Sequence, residues 1–269
     1  MTTPYVMRSA TERQSVSTVD SSLRLDDLID SWEHQQDAYV RHRAGRFSVI
    51  LDAIAYALPE VRSVLDIGAG LGSFSKLILQ RFPEVTVTAL DYDPALQQLA
   101  RHNLRDYADR VSIVEADLRD PAWPAALSGS RPDAVVSSTA LHWLPTPDLV
   151  RLYYLLGDVL DRGGMFFNAD HLSHAAGSFL REVGEADDRE HQRLSFTRGV
   201  ADWDSWWATL RESDGFAELI AERDRRFAHS PENRKPTAGL HTEALRCAEF
   251  SEVGTLWQYL DDYVVYGVR

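Results

Sequence analysis

Between Arg62 and Asp170, short apolar runs rich in β-branched residues alternate with stretches of helical periodicity. No other feature of the chain restricts its fold as much. The runs are RSVLDI (62–67), VTVTALD (85–91), VSIVEAD (111–117), DAVVSST (133–139) and GMFFNAD (164–170). Between them lie the helical stretches SFSKLILQRF (73–82), PALQQLARHNLRDYA (94–108) and TPDLVRLYYLLGDVL (146–160). Pro94 falls in a first helical turn, where proline is tolerated, and Gly163-Gly164 ends the last helix. Strands that alternate with helices pair in parallel, and right-handed crossovers lay helices on both faces of the sheet.

The flanks read differently. Apolar residues from Leu25 to Ile54 recur at helical spacing and predict two helices over residues 23–58, with a break near Gly45 and a stop at Pro59. The Ser/Thr-rich residues 1–22 are expected to form a mobile tail. From His171 to about Pro236 the alternation stops; the charges and tryptophans there predict a helical insertion. TAGLHTEALRCAEF (237–250) returns to a helix. VGTLWQYLDDYVVYGVR (253–269) predicts two strands around an Asp261-Asp262 turn, so the sheet ends with an antiparallel strand.

The first strand runs into SVLDIGAGLGSFS (63–75), with glycines at 68, 70 and 72. Such a turn lets a ligand approach the backbone and leads to a helix N-terminus, which attracts negative charge. Dinucleotides and S-adenosylmethionine both bind in this place. The dinucleotide pattern G-x-G-x-x-G is met at Gly68 and Gly70, but its third position is Ser73. Asp91 ends the second strand, where a carboxylate can accept two adjacent ribose hydroxyls. The turn that follows places Tyr92 against an adenine, and Asp117 and Leu118 end the third strand, where the adenine amine and a ring nitrogen would be read. Each aspartate is also an ordinary turn residue. Three of them at one edge of an open sheet, beside the glycines, point to a ligand crevice.

Taken together, these segments resemble the class I S-adenosylmethionine-dependent methyltransferases. VLDIGAGLGSFS resembles their glycine-rich motif, ALDYDPALQQLAR their ribose-binding turn, VEADLRD their adenine-reading turn, DAVVSSTALHWL their fourth-strand motif and LDRGGMFF their entry to strand five. Arg162 stands where that family usually has proline. The TALHWL form and the N-terminal WEHQQDAYVRHRAGRF resemble the small-molecule branch related to trans-aconitate methyltransferases. The resemblance implies an α/β fold with a doubly wound, seven-stranded, mostly parallel sheet, the Rossmann-like methyltransferase fold. It also implies a helical cover at 23–58, a cofactor-binding core at 59–170 and 237–269, and a helical lid at 171–236. By the same resemblance, S-adenosylmethionine is the cofactor. Asp66, Gly68 and Gly70 would hold its methionine end, Ser138 and Thr139 would meet the methionyl group, and Tyr39 and Arg46 would reach its carboxylate.

Methyl transfer to a hydroxyl or amine can need a base, and histidine titrates near neutral pH. His142 follows strand four and His171 follows strand five, next to Asp170. Each has a plain alternative: His142 as part of a short packed helix, His171 as a loop residue. Asp170 is expected to orient the His171 ring, which favours His171 over His142 as the base. Asp170, His171 and His174 are three donors close in sequence, but no cysteine joins them and no metal is expected. Trp203, Trp206 and Trp207 either line an apolar acceptor site or pack the lid onto the core. Arg189, Arg193 and Arg198 read as an acidic-substrate patch or as a solvated helix face.

The formal net charge of −13 argues against a nucleic-acid surface. The single cysteine, Cys247, excludes a disulfide within the chain and fits a reducing compartment. No run of about 18 apolar residues spans a membrane. The expectation is a cytoplasmic enzyme, monomer or homodimer, methylating an oxygen, nitrogen or carboxylate of a small molecule. A non-methylating enzyme of the same fold, acting by cyclisation or elimination, and a cofactor-sensing protein are the alternatives.

Overall fold

The computed structural model describes residues 11–127, 129, 131–228 and 235–269, with side chains from residue 24 onward. The chain opens with α1 (Thr11–Tyr39) and α2 (Arg43–Ala57). The tail expected over residues 1–22 lies outside the described residues in its first ten positions; from Thr11 the backbone is helical. The helices part at Val40–His42 rather than at Gly45, which falls in the first turn of α2. A first turn lacks i−4 acceptors for its N–H groups in any case, so glycine disturbs it little.

The alternating region follows as β1 (Ser63–Ile67), α3 (Ser73–Arg81), β2 (Thr86–Asp91), α4 (Pro94–Asn103), β3 (Val111–Glu115), β4 (Ala134–Ser138), α5 (Thr146–Val159) and β5 (Met165–His171). Three helices form the insertion: α6 (Phe179–Thr197), α7 (Trp203–Arg211) and α8 (Ala217–Phe227). The chain then returns through α9 (Ala238–Cys247) to the hairpin β6 (Glu252–Tyr259) and β7 (Asp262–Val268). Among the described residues, seven strands form one sheet in the order β3-β2-β1-β4-β5-β7-β6. β1 to β5 are parallel; β7 runs antiparallel to β5 and to β6, as the hairpin required.

Strand residues point alternately to the two faces, and each face has its own core. On one, Leu65, Ile67, Val135 and Phe166 meet α5 and α9. On the other, Val64, Val87, Val136 and Phe167 meet α2 and α3. A third cluster joins α1, α4 and the lid through Leu28, Trp32, Leu96, Leu99, Trp206 and Leu210. The parallel register pairs Ile67 with Leu90, Asp91 with Glu115 and Ser138 with Ala169, so the carboxyl ends of β1 to β5 share one edge. Residues of α1, α2 and the insertion helices α6, α7 and α8 lie over that edge. No helix among the described residues is long and apolar enough to cross a membrane.

Candidate active site

The glycine turn is shaped by contacts that a side chain would break. Gly68, Gly70 and Gly72 have φ of 68°, 58° and 82°, in the left-handed region. A Cβ on Gly68 would lie 2.3 Å from that of Ala140. The N–H groups of Gly68 and Ala69 donate to Leu90 O at 2.8 and 3.1 Å, tying the turn to the end of β2. Asp66 is buried beneath it and accepts the Ser75 hydroxyl at 2.7 Å. Burial pushes its carboxyl up to about 7 despite that bond. Asp66 therefore supports the turn and does not line the cavity, which corrects its expected place at the methionine end. The pleat explains this: Asp66 shares the face of Val64 and points toward α3.

A cavity of about 690 Å³ runs along the carboxyl edge of the sheet, and Gly68, Gly70, Asp91, Tyr92, Asp117, Leu118, Ser138 and Thr139 line it. Asp91 accepts the N–H of Gly70 at 2.7 Å through one oxygen and that of Asp93 at 2.8 Å through the other. Each oxygen retains acceptor capacity for a ribose hydroxyl. Burial pushes Asp91 up to about 6, against the pull of the Asp93 N–H. Tyr92 has Arg119 and Arg226 at 5.5 and 4.8 Å from its ring centre. Asp117 holds Arg119 with contacts of 2.7 to 3.0 Å, so its carboxylate carries a cation from its own turn. Burial raises Asp117, but Arg119 outweighs it and the net effect is downward. Thr139 adopts a φ of 50°, unusual for a β-branched residue, with its N–H on Ala169 O.

These residues fit a sulfonium nucleoside. Gly70 leaves open space where a Cβ would stand, with nothing nearer than 3.9 Å. Ser138 Oγ is buried at the same edge without a hydrogen-bond partner among the described residues.

The two basic or phenolic candidates from the cover part company. Tyr39 lines the cavity and accepts the N–H of Trp203 at 3.1 Å. Arg46 does not line it: its guanidinium is fully buried and donates to Asp262 at 2.6 Å, under the start of β7. Arg43 lines the cavity instead, paired with Glu33 at 2.6 Å and lying over Phe47. Phe47, one helical turn further on, stacks on Phe74 beside the glycine turn at 4.3 Å, which turns this side of α2 toward the cavity.

On the side of β4 and β5, His142 lies in a short 3₁₀ turn, Leu141–Trp143, and lines the cavity. Its Nδ1 is 2.6 Å from Asp170. The expected pairing of Asp170 with the His171 ring is not formed; Asp170 meets His171 only through the backbone N–H at 2.9 Å. Adjacent strand residues face opposite ways, which is the reason. His171 also lines the cavity, with Asp261 3.6 Å from its Nδ1. His174 turns instead to the Tyr263 ring, so Asp170, His171 and His174 do not converge.

The lid tryptophans divide between the two expected roles. Trp206 is core, with its Nε1 donating to Leu28 O at 3.1 Å. Trp203 and Trp207 line the cavity, and Trp32 of the cover touches all three rings. Arg189 and Arg193 pair with Glu185 and Glu190 on the exposed side of α6; Arg198 is exposed as well, and none of the three reaches the cavity. Arg223 and Lys235, which no sequence pattern singled out, do line it.

Residues 64–164 match the family described as a methyltransferase domain. The chain is 26% identical over 168 residues to a malonyl-[acyl-carrier protein] O-methyltransferase of Paenibacillus sp. (strain JDR-2), covering 60% of this chain and 57% of the relative. It is 33% identical over 125 residues to a trans-aconitate 2-methyltransferase of Escherichia coli O17:K52:H18 (strain UMN026 / ExPEC), covering 44% and 46%. The alignments thus span about half the length of these curated relatives. Among solved structures, the CurJ carbon methyltransferase superposes with a TM-score of 0.58 at 15% identity, over 88% of this chain and 57% of the other, a likeness of fold. The strand order, the glycine turn and the matched segment agree: residues 64–164 match a methyltransferase domain and share the fold of the S-adenosylmethionine-dependent type.

Proposed function

We propose that this chain transfers a methyl group from S-adenosylmethionine to an oxygen, nitrogen or carboxylate of a small molecule. When bound, the cofactor supplies a methyl group on a sulfonium sulfur and is left as S-adenosylhomocysteine. One observation carries the reading: the strand-tip crevice and the His142–Asp170 pair open into the same cavity, under a roof shared by cover and lid. Asp91 takes the ribose hydroxyls, and Ser138 and Thr139 meet the methionyl group. Arg43 takes its carboxylate, the role expected for Arg46. Trp32, Trp203 and Trp207 exclude water from the reacting atoms.

Where the methylated group is a hydroxyl or amine, His142, with Nδ1 facing Asp170, takes its proton at Nε2; a carboxylate acceptor is already ionised and needs no base. The two relatives are named for malonyl and trans-aconitate acceptors, both of which carry a carboxylate, and this supports an acidic acceptor. Lys235 at the cavity wall supports the same class. The net charge of −13 favours a small molecule over nucleic acid, and a single cysteine favours the cytoplasm. The protein works as a monomer or homodimer.

Calorimetry with S-adenosylmethionine, S-adenosylhomocysteine and NAD tests the cofactor, and a mass-shift screen of candidate acids then tests the transfer. Asp91→Ala is expected to weaken cofactor binding by about 1.5–3 kcal/mol, the scale of hydrogen bonds to a charged group. An unchanged Kd removes the ribose assignment. Binding of NAD alone, or turnover without S-adenosylhomocysteine, removes the methyl-transfer reading.

A further inference from the structure

Three metal-ligand side chains meet where the lid joins the sheet. His171 closes β5, Asp188 lies on α6, and Asp261 lies in the turn between β6 and β7. One ligand atom from each falls within 4.8 Å of the other two. The helix is free to come this close because Gly184, one turn before Asp188, faces Asp261; a Cβ there would lie 3.0 Å from its carboxylate.

The charges and donors of this cluster are balanced only in part from within: against burial, the His171 ring helps to hold the Asp261 carboxyl down, but Asp188 has no such partner among the described residues. His171 is 8% exposed, and neither ring nitrogen has a hydrogen-bond partner among the described residues. Its nearest carboxylate oxygen, on Asp261, is 3.6 Å from Nδ1, too far for a hydrogen bond. Burial, and then the Asp261 charge, push the Asp188 carboxyl up. The nearby arginines are committed to other acids, Arg41 to Asp187 and Arg46 to Asp262. Lys235 acts on both carboxylates through space without an ion pair to either among the described residues.

We propose that His171, Asp188 and Asp261 bind one divalent metal ion of the kind that accepts mixed nitrogen and oxygen ligands, such as Mn²⁺ or Zn²⁺. Two ligands bonded at about 2.1 Å around a tetrahedral ion stand about 3.4 Å apart, close to the His171–Asp261 spacing. Three protein ligands leave coordination positions open. His171 and Asp188 line the main cavity, so those positions face the acceptor space, where an acidic or hydroxyl oxygen completes the shell. The ion site stands apart from the methyl-transfer reading; only its use on an acceptor rests on that reading.

The test is titration of chelator-treated full-length protein with MnCl₂, followed by the electron paramagnetic resonance signal of free Mn²⁺. Loss of that signal to a stoichiometry of about one ion per chain, reversed by Zn²⁺, is expected. Asp188→Asn and Asp261→Asn should each weaken binding by about tenfold or more while circular dichroism stays that of the parent. Two different elements are altered, so a folding defect in one variant leaves the other to decide. A free-ion signal that never falls, or equal binding by parent and both variants, overturns the proposal. Normal calorimetric affinity for S-adenosylmethionine in the same metal-free sample would then show that the cofactor reading survives alone.

Discussion

His142 places Nδ1 2.6 Å from Oδ1 of Asp170, and the backbone N–H of His142 donates to the other oxygen of the same carboxylate at 3.1 Å. Burial would raise Asp170, but the charge and hydrogen bond of His142, with the His171 and Arg46 charges, hold it down to about 2. A depressed carboxylate contributes stability above its unfolded value near 4 and loses it as the pH falls toward 2. At working pH Asp170 is therefore ionised and fixes the proton of His142 on Nδ1.

Removing that charge while keeping the shape tests the base. Asp170→Asn and His142→Ala are each expected to lower kcat by about 10²-fold or more, with cofactor affinity by calorimetry changed less than twofold. His171→Ala should cost less. If His171→Ala costs the most and His142→Ala costs nothing, the base is His171.

The Gly68 backbone makes a second prediction. Alanine at 68 meets the Ala140 Cβ at 2.3 Å and a φ of 68°, so both clash and strain oppose it. Gly68→Ala should destabilise the chain by at least about 1–2 kcal/mol, the cost of the left-handed backbone alone. Gly68→Ala/Ala140→Gly should recover only the clash. Denaturant unfolding of the three proteins checks this, and full recovery would mean that backbone strain plays no part.

Asp66 predicts a pH dependence of opposite sign to that of Asp170. Its folded-state value of about 7 lies above the unfolded value, so the folded chain holds the proton more tightly. Its contribution is complete below pH about 4 and declines as the pH rises to about 7. The decline amounts to at most about 4 kcal/mol, from three units at 1.36 kcal/mol each. Asp66→Asn keeps the polar shape and should flatten the fall in stability between pH 5 and pH 8. The same slope in parent and variant would place the neutral carboxyl elsewhere.

The two arginines of the cover should separate cleanly. Arg46→Met strands the buried Asp262 and should cost about 3–5 kcal/mol, and Arg46→Met/Asp262→Leu should restore much of it. Arg43→Met should lower Tm less than Arg46→Met, because the Glu33 it leaves behind is about a third exposed and stays solvated, whereas Asp262 is buried. Its effect belongs in the calorimetric Kd for the cofactor, weakened by about tenfold, the size of one charge-assisted hydrogen bond.

The sheet was legible because its strands are covered on both faces, and a short apolar run between helical patterns has few other uses. The strand-tip acids Asp91 and Asp117 were legible for the same reason, since a parallel register brings every carboxyl end to one edge. What the sequence left open was decided by side-chain direction. Asp66 and Asp91 look alike in the string and share one face of the sheet, yet Asp66 lies within β1 and is buried under the turn, while Asp91 ends β2 and opens to the cavity. Arg43 and Arg46 differ by less than one helical turn and end in a wall and in a core. Asp170 is adjacent to His171 and pairs with His142, a contact from β5 to the turn that follows β4. Arg223 and Asp188 come from the insertion, where no strand rhythm fixes the phase.

Asp93 caps α4 by accepting the N–H groups of Ala95 and Leu96, and it also receives Arg223 from α8 at 2.8 Å, whose guanidinium lies over the Trp207 ring. The residue that shapes the nucleoside floor is thus the latch of the ceiling. Lifting α8 strands a nearly inaccessible negative charge, so whatever steadies the floor tightens the ceiling, and the reverse holds by the same thermodynamic cycle.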